Sequence, residues 1–194
     1  MKRRLKYLLP VLLTLALLAG CTSTSAEIEN TIKPADLTIG ESQIASAFAD
    51  TSFIFDLALN VETEVNVELW VVHYSEGLEE NRMGPVAILS EDDERVMVGV
   101  TDLPTGEQLW KTKLNGNGGT FAWPKPASTA WTWSGAPEQQ SIEFGKPVLL
   151  ACMVGTKSGG VSILRSIFDG DEAMMAETLK NDDVFLVYLQ VTER

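Results

Sequence analysis

Apolar and polar residues alternate along most of the chain after residue 50, a pattern that places every second side chain on one face of a β-strand. The alternation is clearest in the segments SFIFDLALN, EVNVELWVVHY, RVMVGV and VFLVYLQV. The segment PVLLACMV is apolar throughout and is typical of a strand covered on both faces. Shorter candidate strands are PVAILS, QLWKTKL, GTFAW, TAWTW and GVSIL. The pattern predicts a chain that is mainly β-structure.

Turn-forming residues separate these segments, for example in LPTGE, NGNGG, GAPEQQ and GTKSGG. Short strands divided by such turns predict an antiparallel β-sandwich of about 8–10 strands over residues 51–194, immunoglobulin-like or jelly-roll-like in kind. One short helix is predicted near the C-terminus, in DGDEAMMAETLKN, where Asp169 and Glu172 have capping-box spacing.

The first fifty residues have a different character. A basic head containing Lys2, Arg3, Arg4 and Lys6 precedes an apolar run of eleven residues, 8–18. A membrane-spanning helix needs roughly 20 apolar residues, whereas the apolar core of an export signal needs about 7–15. Residues 1–20 are therefore predicted to be a signal peptide. Residues 21–50 are polar and turn-rich, which predicts a largely flexible tether, with one helical turn in SQIASAFAD.

The end of the apolar run, Leu18-Ala19-Gly20-Cys21, resembles the lipobox of bacterial lipoprotein signals. The resemblance covers the first twenty-one residues alone. It implies that a diacylglycerol thioether forms on Cys21 and that cleavage occurs just before this residue. Since two acyl chains anchor a protein stably, the expected partner is a bacterial membrane, held through diacylglyceryl-Cys21. The rest of the chain is then expected outside the cytoplasm, in the cell envelope.

Composition narrows the choice of partners and chemistry. Without residues 1–20 the chain has eleven basic and twenty-seven acidic side chains, a net charge of −16. Such a charge repels phosphates, so no nucleic acid is expected as a partner. Cys152 lies among apolar neighbours and is predicted to be a small buried hydrophobe. The single histidine, His73, ends an apolar row, which favours a structural role over a catalytic one.

No cofactor is predicted. The carboxylates Asp169, Asp171 and Glu172 are weak candidates for a cation site, because hard cations prefer oxygen ligands. A solvated turn or a helix cap explains the same cluster without a metal. No residue stands out as catalytic.

The most unusual segment is FAWPKPASTAWTWSGAP, which holds Trp123, Trp131 and Trp133 within eleven residues. In a strand, Trp131 and Trp133 point the same way. Large aromatic side chains usually fill a core, which is the favoured interpretation. If this face is exposed instead, the two rings form a platform for a sugar or a peptide, because exposed aromatic patches normally have a function.

Three functions fit these observations. The first is a non-enzymatic, lipid-anchored envelope module that binds a protein or a polysaccharide. The second is a hydrolase that acts on envelope glycans through two carboxylates, a mechanism that depends on their separation in space. The third is a structural or assembly lipoprotein without a small ligand.

Overall fold

The computed structural model describes residues 30–90, 93–114 and 116–194. Its strands form two antiparallel sheets, one of six strands and one of five, which pack face to face. The prediction of an all-β sandwich is confirmed. No helix in these described ranges is long and apolar enough to cross a membrane.

The six-stranded sheet has the strand order β7-β6-β5-β2-β1-β9, and we call it the first sheet. Its strands are β1 (Thr31–Pro34), β2 (Thr51–Ala58), β5 (Glu94–Asp102), β6 (Glu107–Leu114), β7 (Asn117–Pro124) and β9 (Gln140–Ser141). The second sheet has the order β4-β3-β11-β10-β8. Its strands are β3 (Val65–Ser75), β4 (Leu78–Ser90), β8 (Ala130–Gly135), β10 (Val148–Thr156) and β11 (Asp183–Glu193).

The core lies between the sheets and follows the alternation in the sequence. In β3 every second side chain from Val65 to His73 is buried, and β2, β5 and β11 bury their alternating residues in the same way. Trp110 of β6 and Phe185 of β11 meet at the centre, with ring centroids 4.9 Å apart. Both side chains are fully buried.

The folded domain starts before the predicted boundary at residue 51. β1 lies within the segment predicted to be a flexible tether, yet it pairs with both β2 and β9, and Ile32 is 1% exposed. A ten-residue helix, α1 (Ile39–Phe48), follows and is capped by Thr38. Sequence patterning missed β1 because four residues are too few to show a period. Residues 21–29 of the predicted tether, like the signal peptide, lie outside the described residues.

The outer face of the second sheet is covered by residues 161–179. This segment contains a 3-10 helix (Arg165–Asp169) and the short helix α2 (Glu172–Thr178). It packs Ile167, Phe168 and Leu179 against the core, which explains why β10 is apolar on both faces. The predicted strand GVSIL is irregular here, since its apolar residues cover a sheet and do not join one. The cap of α2 is Asp171, and the predicted cap Asp169 instead ends the 3-10 helix.

Candidate functional site

The three tryptophans lie on either side of one crossover between the sheets. Trp123 lies near the end of β7 in the first sheet, whereas Trp131 and Trp133 lie on β8 in the second. The connecting residues 125–129 cross at one end of the sandwich. Prolines at 124 and 126 suit this crossing, because a residue without a backbone N–H ends a strand without leaving a donor unpaired.

Trp123 belongs to the core. Its partly buried ring packs against the core residues and meets the His73 ring edge-on, with centroids 6.1 Å apart and planes at 78°. An edge-to-face contact of this kind is a favourable aromatic geometry. Trp123 therefore does not form a platform together with the other two tryptophans.

Trp131 is partly buried and is held by its neighbours. It lies opposite Gly155 of β10, and its ring occupies the space that a side chain at position 155 would fill. Its indole Nε1 donates a hydrogen bond of 3.1 Å to the backbone oxygen of Ser128. On its inner side the ring faces Phe185, with centroids 6.1 Å apart. The absent side chain at Gly155 thus provides the seat for this indole.

Trp133 continues a row of side chains that runs across the inner face of the second sheet. The strand register places His73, Phe185, Met153 and Trp133 directly opposite one another in turn. The first three are buried, but Trp133 is 52% exposed. The difference arises because β8 is the edge strand of its sheet. Trp133 thus presents part of its ring to solvent while sharing a face with the core.

Trp131 and Trp133 line a cleft of about 200 Å³ between the two sheets. The buried side chains of Val100 and Met153 also contribute to its lining. The remaining lining residues are polar and come from the first sheet and the residue before it: Asp50, Thr51, Asp102 and Gln108. The cleft therefore combines an aromatic wall with a wall of hydrogen-bonding groups.

Gln108 is the most deeply buried polar group in this wall, at 3% exposure. Its Nε2 donates to Asp102 Oδ1 at 3.1 Å, and Lys125 Nζ donates to Asp102 Oδ2. The Asp102 backbone N–H donates to Asp50 Oδ2 at 3.1 Å. Gln108 Oε1 has no hydrogen-bond partner within the described part of the chain. Since an unpaired buried acceptor is costly, this atom is a candidate contact for a ligand.

A buried polar network lies behind the tryptophans. His73 Nε2 and Asp183 Oδ1 are 3.1 Å apart, and Ser128 Oγ donates to Asp183 Oδ2 at 2.6 Å. All three residues are no more than 6% exposed, and the His73 ring stacks on Phe185. A serine nucleophile requires a hydrogen bond to histidine, whereas here the aspartate stands between them. The network holds the crossover loop to β11 and supports the structural role predicted for His73.

The other sequence candidates contribute nothing to this cleft. Asp171 Oδ1 caps α2 by accepting from the N–H groups of Ala173 and Met174, while Asp169 and Glu172 are exposed. Over the described ranges no group of three metal-binding side chains comes together. Cys152 is fully buried, and desolvation raises the pKa of its thiol to about 12. The lipidation candidate Cys21 lies outside the described residues.

Sequence reasoning missed the polar wall, although one signal was available. Gln108 lies on the face of β6 that also carries the buried residues Trp110, Thr112 and Leu114. A polar residue at a core position of an alternating strand indicates either a buried hydrogen bond or a site. The approach of Asp50 and Asp102, fifty-two positions apart, has no comparable signal in the sequence.

A comparison with known protein families gives one match. The model of the YgaN domain family matches residues 31–191, from the start of β1 into β11, and so includes every residue that lines the cleft. No curated protein and no solved structure matches the chain. Since the family model spans most of the chain, the protein belongs to the YgaN domain family.

Proposed function

We propose that this member of the YgaN domain family is a non-enzymatic, lipid-anchored module of the bacterial cell envelope. Its β-sandwich binds another envelope component, a protein or a polysaccharide, at the cleft beside Trp131 and Trp133. The anchor and the cleft are supported by separate observations and are tested separately.

The N-terminal sequence supports the anchor. A basic head, an apolar run of eleven residues and the four-residue box ending at Cys21 occur together and in the right order. Ten peptide units join Cys21 to Thr31, where β1 begins. Even when fully extended they span at most about 35 Å, so the sandwich works close to the membrane surface.

The exposure of Trp133 is the observation that carries the binding function. A tryptophan left 52% exposed costs solubility unless its surface is used. Here the ring stands at the mouth of a cleft that also contains a buried, unpaired acceptor on Gln108. Concave sites that combine aromatic surface with a few polar groups are the usual form of a binding site.

Nothing in the described residues favours the hydrolase. The cleft carboxylates are engaged structurally, since Asp102 accepts from Gln108 and Lys125, and Asp50 accepts from a backbone N–H. The carboxyl groups whose pKa is lowered, Glu41 and Asp182, do not line the cleft. A general acid in glycan hydrolysis needs the opposite shift.

Cell fractionation of the Cys21→Ser variant tests the anchor. We expect this variant to remain an uncleaved precursor or to leave the membrane as a soluble protein, and to incorporate no labelled fatty acid. The wild-type chain serves as the acylated control. A Cys21→Ser protein that still incorporates fatty acid and remains in the membrane at mature size would refute the anchor.

Sedimentation with isolated envelope material tests the cleft. We expect the wild-type chain to cosediment and Trp133→Ala to lose at least about tenfold in affinity, as for other exposed aromatic anchors. Phe144→Ala is the matched control, since Phe144 is 40% exposed and lines a different cavity. Equal binding by Trp133→Ala and wild type would remove the cleft as the site.

A further inference from the structure

We infer that the cleft binds a single uncharged or amine-bearing sugar residue of an envelope glycan. This inference rests on the proposed function and selects the polysaccharide over the protein as the ligand. The size of the cleft, its two chemically different walls and its charge each contribute to the choice.

The size of the cleft limits the ligand. Sites for drug-sized ligands occupy about 300–1,000 Å³, whereas this cleft has about 200 Å³. It therefore accommodates one ring and excludes a chain lying along its length. A sugar at the end of a glycan, or one branching from it, is presented in that form.

The two walls match the two kinds of surface on a pyranose ring. Such a ring carries C–H groups on its faces and hydroxyl groups around its rim. The indoles of Trp131 and Trp133 offer flat, electron-rich surfaces to the C–H groups. Opposite them, Gln108 Oε1 is an acceptor without a partner, and the carboxylates of Asp50 and Asp102 have further lone pairs to offer. Every one of these free groups accepts a hydrogen bond, and sugar hydroxyls donate them.

The charge of the cleft excludes acidic ligands. Asp50 and Asp102 line it, and only Asp102 is paired with a cation, Lys125, over the residues that the structure describes. The remaining negative charge adds to the acidic character of the whole chain, whose net charge is −12 before any processing. A uronate, phosphate or sulfate group would be repelled from such a site. A neutral sugar is tolerated, and an amino group is attracted.

The test uses envelope material from which the protein component has been removed. The full-length chain, in detergent, is incubated with envelopes that have been digested exhaustively with protease. We expect binding to survive digestion. Loss of binding after protease would show that the ligand is a protein and would overturn the inference.

A competition experiment then tests the charge of the sugar. Glycans released from the digested envelopes are separated by anion exchange into an unretained fraction, neutral or cationic, and a retained acidic fraction. We expect the unretained fraction to compete with envelope binding at least tenfold more effectively than the retained one at equal sugar concentration. Competition by the acidic fraction alone, or by neither fraction, overturns the inference.

Two variants connect the competition to the cleft. Trp133→Ala is expected to lose the competed binding, and Phe144→Ala is expected to keep it. Asp50→Asn removes one negative charge while retaining an acceptor, and it should narrow the difference between the two fractions. An unchanged ratio in Asp50→Asn would count against charge as the selecting feature. If the wild-type chain does not bind whole, undigested envelopes, the proposed function itself fails, which separates the two failures.

Discussion

Gly155 lies directly against the indole ring of Trp131, and a Cβ atom added at Gly155 would stand 2.7 Å from Trp131 Cη2. The same atom would lie 2.8 Å from Ser128 Cβ. The indole has little freedom to retreat, because its Nε1 is hydrogen-bonded to the Ser128 backbone oxygen. One glycine on β10 thus sets the position of a ring on β8 that lines the candidate site.

Gly155→Ala is therefore expected to displace Trp131 and to weaken envelope binding. Forcing a methyl group into a packed site typically costs about 1–3 kcal/mol of unfolding free energy. Chemical denaturation measures the stability loss, and cosedimentation with envelopes measures binding. Gly160→Ala is the control, since its added Cβ meets nothing within 4 Å. If Gly155→Ala binds and unfolds like Gly160→Ala, Gly155 does not position the ring.

The two tryptophans of β8 should differ in their contribution to stability. Trp131 is packed on the core, so Trp131→Ala is expected to lower the unfolding free energy by about 2 kcal/mol or more. Trp133 is half-exposed, and Trp133→Ala should cost no more than about 1 kcal/mol. Urea denaturation of both variants measures the difference. Similar losses in the two variants would contradict the unequal burial of these rings.

Cys152 should be chemically inert in the folded protein. Its thiol is fully buried and its pKa is raised to about 12, so almost no thiolate forms at pH 8. In a chain carrying Cys21→Ser, a thiol-reactive disulfide reagent should modify Cys152 only after denaturant is added. The control combines Ser162→Cys with Cys152→Ala, which places the thiol on an exposed residue. Rapid modification of native Cys152 would show that β10 is not sealed as described.

The docking of α1 should weaken in acid. Glu41 accepts hydrogen bonds from Thr38 and from Arg95, which lower its pKa from 4.5 to about 2. A lowered pKa means that this carboxylate stabilises the fold above about pH 4.5 and loses the effect as the pH falls through 2. Hydrogen exchange of the α1 amides should accelerate over that window. Glu41→Gln should remove this part of the pH dependence, and an unchanged profile would contradict the assignment.

Much of the sandwich is predictable because strand alternation is a local signal. Each inward-facing residue of β3 follows from its neighbours two positions away, and the burial of β10 on both faces follows from its uninterrupted apolar run. The start of the domain was not predictable, because β1 is stabilised by its pairing with β2 and β9 and not by a pattern of its own. The cap of α2 was misplaced by two residues, since Asp169 and Asp171 are equally good capping residues and only the path of the 3-10 helix selects between them.

The candidate site separates the two levels of information. By itself the sequence determined that Trp131 and Trp133 share a face, because side chains two residues apart in a strand always do. Only the tertiary structure decided that this face is core at one ring and solvent at the other. That outcome depends on β8 being an edge strand and on where the first sheet stops covering it. Strand order is set by contacts between residues far apart along the chain, and no local pattern of apolar residues encodes it.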